Sequence, residues 1–454
     1  MTVAAASLTT FTSQLEESFA QLSAALIDSL KPGEHLTLTL VGEQSQFLRF
    51  NQAKVRQGGI VTDGEINLTL MAQERTQSYS VPITGHGPAD LAVAQEAIAT
   101  LRQELPTLPV DPYQVVPQGS STSHDVHQGS LLASEEAAST ILSAVRDLDF
   151  TGLYAGGAAV RGYADSAGQR HWFATDSFTL DYSLFTPEGR AVKGTVAGDR
   201  WDGADYREKL GRSVQQLARL EQPPRSVPRG EYRTYLAPAA VADLVSMLSW
   251  GGVSEAALQR GSSALAALQR GDKALSEHFT LTENFSHGLV PRFNELGEAA
   301  PEVLPLIERG QLVNTLISSR TAKEYGKQAN GAAGYEGLRS PDVAPGTLPL
   351  SKVLETLDTG LYLSNVHYLN WSDRPSGRIT GMTRYACFWV EGGELVAPIE
   401  NLRFDESLYQ FLGDKLLALT DTQEFIPEVG SYGHRDLGGS WVPGMLVENF
   451  TYTL

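Results

Sequence analysis

Within the first hundred residues the apolar spacing changes period, and little else in the chain constrains the fold as tightly. Phe11, Leu15, Phe19, Leu22, Leu26 and Leu30 recur at steps of four, four, three, four and four, which places them on one face of a helix. Pro32-Gly33 stops that helix. In HLTLTLVGE, Leu36, Leu38 and Leu40 then alternate with polar residues at period two, the pattern of a strand with one buried face. FLRF, EINLTLMAQ and TQSYSVPI continue it, with Asp63-Gly64 as a turn signal, and Leu91, Ile98, Leu101 and Leu105 make a second helix. The prolines of PTLPVDPY end it in an extended connector. Residues 1–110 thus read as an N-terminal α+β domain, a small sheet with flanking helices.

Residues 111–225 read as a linker followed by a middle α/β segment. YQVVPQGSSTSHDVHQGSLL (113–132) has no clear period and is expected to be a loop. A helix over about 134–148 leads to strands near 152–163, 169–175, 177–186 and 190–198, then to a helix near 203–220. From 226 to 454 the pattern is mostly short strands and glycine-cued hairpins, such as Glu391-Gly392-Gly393, after a helix that Pro238 opens. The expected class is α+β: an N-terminal α/β domain followed by a mostly β C-terminal domain.

The 53 acidic and 35 basic residues give a net charge of −18, and no Lys/Arg-rich run follows, so nucleic acid is not an expected direct partner. A single cysteine, Cys387, rules out a disulfide framework within one chain and fits a reducing, cytoplasmic setting. No apolar run approaches the ~20 residues of a spanning helix, so no membrane partner is expected.

Chemistry is harder to place. Of nine histidines only His124 and His127, in SHDVH, lie close in sequence, and a polar linker offers nothing to hold metal ligands in a fixed geometry. There is no G-x-S-x-G elbow, and Ser262 and Ser263 in RGSSA have no base beside them, so helix capping is their expected role. GLYAGGAAVRG matches no dinucleotide fingerprint and does not open a helix. The carboxylates are scattered, and no catalytic residue is nominated.

Six segments, taken in order, resemble the TldD/PmbA family. They are FLRFNQAKVRQGG (47–59), PRGEYRTYLAPAAVADLV (228–245), QRGSSAL (259–265), RGQLVNTLISSRTAKEYG (309–326), VEGGELVAPIEN (390–401) and the closing VPGMLVENFTYTL. The resemblance implies an N-terminal α/β domain, a mostly β C-terminal domain and a dimer. It also implies two kinds of subunit: TldD-like zinc metallopeptidases with H-E-x-x-x-H on the helix after the L-x-P strand and a late cysteine ligand, and TldE- or PmbA-like partners without that motif. Counted back from Arg260-Gly261-Ser262-Ser263, the family's first histidine and glutamate fall at about Ser246 and Met247, the second histidine at about Gly251, and the cysteine near Gly430. Residues 238–265 hold no histidine and no cysteine.

The resemblance therefore implies a zinc-less subunit that carries no cofactor itself. Its expected partner is a TldD-like zinc-bearing subunit or a second copy of itself, with a peptide as substrate. Trp250, Gly251, Gly252 and Arg260 would border a vestigial substrate groove, although a core tryptophan and a glycine helix stop explain the first three more simply. His434, near the lost cysteine, joins His124 and His127 as the only other metal-ligand candidate. Two alternatives stay open: a self-sufficient hydrolase working from His124/His127 or Ser262/Ser263, and a peptide-binding scaffold homodimer. NVHYLNWSDRPSGRITGMTRYACFWV (365–390) is more elaborate than the family's usual loop before its final hairpin.

Overall fold

The structure, a computed structural model, describes residues 8–454. The first apolar spacing forms α1 (Leu8–Asp28), which buries Leu15, Phe19, Leu22 and Leu26. The alternating stretches form β1 (His35–Asn51), β2 (Lys54–Ala72) and β3 (Arg75–Pro82), an antiparallel meander. Leu36, Leu38, Leu40, Ile66, Leu68 and Leu70 share one core with α1 and with α2 (Gly87–Glu104). The one-sided burial that the period implies is therefore what brings helices and sheet together.

This sheet does not end at residue 110. β4 (Thr122–His127), β5 (Asp149–Asp165), β6 (Arg170–Phe185) and β7 (Ala191–Gly198) join it, in the order β3-β2-β1-β5-β6-β4 with β7 also on β6. β5 pairs with β1 from Thr37↔Asp165 to Phe50↔Gly152, residues more than a hundred positions apart. The division drawn at 110 thus cuts through one seven-stranded sheet; local periodicity carries no information about such a pairing. SHDVH, read as linker, is β4, an edge strand parallel to β6. The strands expected at 169–175 and 177–186 are the single strand β6. α3 (Ala137–Ser143), shorter than expected, and α4 (Gly203–Leu220) close a second core over Phe150, Tyr154, Phe178 and Tyr182. The Asp202 carboxylate caps α4 by accepting from the Ala204 and Asp205 amides.

Beyond residue 229 the chain forms a thirteen-stranded sheet, so the β-rich C-terminal region is as expected. β8 (Gly230–Leu236) lies in its middle, antiparallel to the final strand Gly439–Tyr452 and parallel to Gly360–Leu363. α5 (Pro238–Ser246) follows immediately and buries Ala240, Val241, Leu244 and Val245 in the largest core. The two sheets are joined by Arg435, from the segment before the last strand. It is 4% exposed, and its guanidinium donates to Ser45 Oγ (2.8 Å), the Ser177 carbonyl (3.1 Å) and the Gly157 carbonyl (2.9 Å), beside the buried Glu43 carboxylate.

Among the described residues no helix is long and apolar enough to cross a membrane.

Candidate functional site

The site is built around the end of α5. The helix tightens into a 3-10 turn at Met247–Ser249 and stops at Gly251, whose φ of +84° lies in the left-handed region that favours glycine. Gly252 is fixed too: a Cβ there would stand 2.8 Å from the Leu248 carbonyl oxygen. Ser254 then caps a short helix, Glu255–Gln259, and its hydroxyl donates to Glu336 Oε2 at 2.6 Å. Ser263 closes the loop by donating to the Gly252 carbonyl at 2.6 Å and accepting from the Leu265 amide at 3.0 Å. Both serines of RGSSA face backbone: Ser262 Oγ lies 3.3 Å from the Ala257 carbonyl. Ser263 holds the turn in place rather than facing a substrate.

A cavity of about 550 Å³ opens beside this turn. Ser246 and Ser249 line it from the turn, Leu40 and Arg161 from the first sheet, and Arg339, Glu428 and Asp436 from the C-terminal region. Its polar groups are of both signs. Burial brings the Arg161 guanidinium down to about 10, and its Nη2 donates to the Arg435 carbonyl at 3.1 Å. Arg339 is likewise lowered by burial, and donates to the Phe293 and Gly331 carbonyls. Opposite them, desolvation and then the nearby Asp436 charge push the Glu428 carboxyl up. Behind Ser246, desolvation pushes Asp243 up to about 7, with Lys193 opposing and Glu428 adding to the shift. Such a wall of backbone-anchored arginines and poorly neutralised carboxylates can hold a polar, extended chain by hydrogen bonds; nothing in it forms a nucleophile–base pair.

The residues at the positions to which the resemblance assigns the zinc motif offer no zinc ligands. Ser246 Oγ is a neutral hydroxyl that donates to the Asp243 carbonyl at 2.7 Å. Met247 is 1% exposed and its thioether belongs to the core. Gly251 has no side chain, and a Cβ at Gly430 would overlap Asp436. Replacing Met247 by Glu, the first step in rebuilding the motif, is expected to destabilise the chain by at least about 3 kcal/mol, because a carboxylate would enter an apolar core unpaired. Denaturant midpoints of the two proteins check this, and a change below about 1 kcal/mol would contradict it.

The other candidates are scattered. His124 and His127 are three apart on a strand, which sends their side chains to opposite faces. His124 lies 3.2 Å from Glu16 on α1, while His127 packs on Phe173 and against Gly288. His434 sits 3.9 Å from Glu43. Among the described residues no three His, Cys, Asp or Glu side chains come together as a metal site. Trp250 is 53% exposed and so is not a core residue, and Arg260 is an exposed helix cap. None of Trp250, Gly251, Gly252 and Arg260 lines the cavity, although their neighbours Ser246 and Ser249 do. Arg161, Arg339, Glu428 and Asp436 were not singled out from the sequence. The nearest signal was GSYGHRDLGG (430–439), a polar glycine-rich segment directly before an apolar strand.

Residues 229–454 match the profile of the PmbA/TldA metallopeptidase C-terminal domain. The chain belongs to the TldD/PmbA family. Among solved structures it is similar to TldE from Thermococcus kodakarensis (15% identity, TM-score 0.76, covering 96% of this chain and 99% of that one). It is also similar to two proteins named as candidate modulators of DNA gyrase. One is from Thermotoga maritima (16%, TM-score 0.73, 97% and 100%) and one from Bacteroides thetaiotaomicron (15%, TM-score 0.74, 96% and 98%). At these identities the likeness speaks for the fold of a TldD/PmbA protein. No curated protein matches the sequence.

Proposed function

We propose that this chain is the zinc-less, TldE-like subunit of a TldD/TldE-type metallopeptidase complex that processes peptides in the cytoplasm. It supplies part of the substrate channel and stabilises a zinc-bearing TldD-like partner, without cutting peptides itself. The observation that carries this reading is the end of α5: the turn is fully built, with its serine and glycine locks in place, while the three side chains a metallopeptidase would place there are Ser246, Met247 and no side chain at all. Catalytic zinc chemistry requires about three protein ligands and a polarised water. A scaffold kept to this degree without its ligands suits a subunit whose surfaces still matter.

The test is reconstitution. The purified chain is expected to leave unstructured peptides intact, and the TldD-like protein from the same source to cut them only, or far faster, when this chain is added. Hydrolysis by the isolated chain would overturn the reading in favour of a self-sufficient hydrolase. Peptide binding with no turnover in either case would mean a scaffold homodimer.

A further inference from the structure

The enlarged hairpin Asn365–Asp373/Arg378–Arg384 joins the C-terminal sheet through its second strand, which pairs with Arg403–Ser407. Its turn carries Arg374. A Cβ on Gly251 would stand in ordinary van der Waals contact, 3.7 Å from Arg374 Nη1 and 3.5 Å from Ala257 Cβ, so the guanidinium lies against the Gly251 turn. That guanidinium is unpaired. Arg374 forms no ion pair among the described residues, and its Nε is the one arginine nitrogen there that is shielded from solvent without a hydrogen-bond partner. The adjacent carboxylate, Asp373, is engaged instead with Ser376 Oγ at 2.7 Å. Buried polar groups are normally satisfied, and leaving a charged donor unpaired is costly. The two Nη groups are not shielded, which leaves the outer edge of the fork open.

We infer that Arg374 is a carboxylate-binding site, set on the Trp250–Gly251 turn by the hairpin, that takes the terminal or acidic side-chain carboxylate of a peptide. A planar guanidinium matches a carboxylate with two parallel hydrogen bonds. One positive charge neutralises one carboxylate; a phosphate would keep excess negative charge on a chain that already carries −18. The half-exposed indole of Trp250, next in the chain to Gly251, offers an apolar surface for the residue bearing the carboxylate. The peptide as ligand rests on the function proposed above; the carboxylate preference does not.

Calorimetric titration of the full chain with tetra-alanine, tetra-alanine amide, an N-acetylated Ala-Glu-Ala amide and acetate tests this. Tetra-alanine is expected to bind at least about tenfold more tightly than its amide, and R374M to remove that difference while R374K keeps part of it. Binding of the internal glutamate probe in place of tetra-alanine, with the same loss in R374M, would assign the site to acidic side chains. Acetate alone matching either peptide would reduce the site to a simple anion site, and so overturn the peptide assignment. Equal binding of acid and amide, unchanged binding in R374M, or no binding to the native chain would overturn the proposal. If R374M does not fold, R374K against the native chain decides by the same acid-to-amide ratio. Hydrolysis or zinc found in the isolated chain would defeat the subunit reading and leave this ratio to be judged separately.

Discussion

Arg435→Met is expected to destabilise the protein by about 3–5 kcal/mol, among the largest effects of any single substitution in the chain. Arg435 is 4% and Glu43 1% exposed. The guanidinium is satisfied by Ser45, Ser177 and Gly157, and the Arg435 amide donates to Glu43 Oε1 at 3.1 Å. Methionine fills much of the volume but takes from the buried Glu43 carboxylate its adjacent cation, leaving the Arg161 charge and the residue-435 amide, so the cost is in desolvation rather than packing. A second substitution, Glu43→Gln, should then recover part of the loss, which a double-mutant cycle on denaturation midpoints would show. Strictly additive losses, or a loss below about 1 kcal/mol for Arg435→Met, would mean that the pair does not join the two sheets as described.

The second large effect depends on pH. Glu283 is 1% exposed and accepts only backbone amides, from Arg339 at 2.9 Å and Ser340 at 3.1 Å. Burial pushes its carboxyl up to about 7, from 4.5 in a solvated chain. A raised carboxyl holds its proton in the folded state after the unfolded chain has lost it. Its contribution is therefore fully present below pH 4.5 and is lost as pH rises to 7, by up to about 3 kcal/mol. Glu283→Gln cannot ionise, so relative to the native protein the variant should be more stable at pH 8 than at pH 5. Melting temperatures at those two values check the sign. Parallel pH profiles for the two proteins would contradict it.

How much of this was legible in the sequence depended on whether the signal was local. The α1 stripe and the Leu36–Leu38–Leu40 alternation are contained within a few turns of chain, and both elements appear with their apolar faces buried. The β1–β5 pairing is not local, so the first sheet could not be seen to run on past residue 110. β4 escaped notice because its polar residues alternate between exposed and half-exposed positions and show no hydrophobic period. At the candidate site, the absence of His and Cys from 238–265 could be read directly, as could the glycine stop at 251. The cavity could not, because Arg161 and Asp436 meet across some 275 intervening residues and each sits in a segment of ordinary composition. Arg435 looks like a surface residue in sequence; only its burial under three carbonyl and hydroxyl acceptors makes it a tie between sheets.

The most direct test of the central claim is the zinc content of the purified full chain, measured by elemental analysis near neutral pH without chelators. With Ser246 and Gly251 at the histidine positions, Met247 at the glutamate's and Gly430 near the cysteine's, less than about a tenth of an equivalent per chain is expected, since a functional catalytic site normally retains its ion. A value close to one equivalent, surviving dialysis, would contradict it and would make His124, His127 and His434 the first residues to replace.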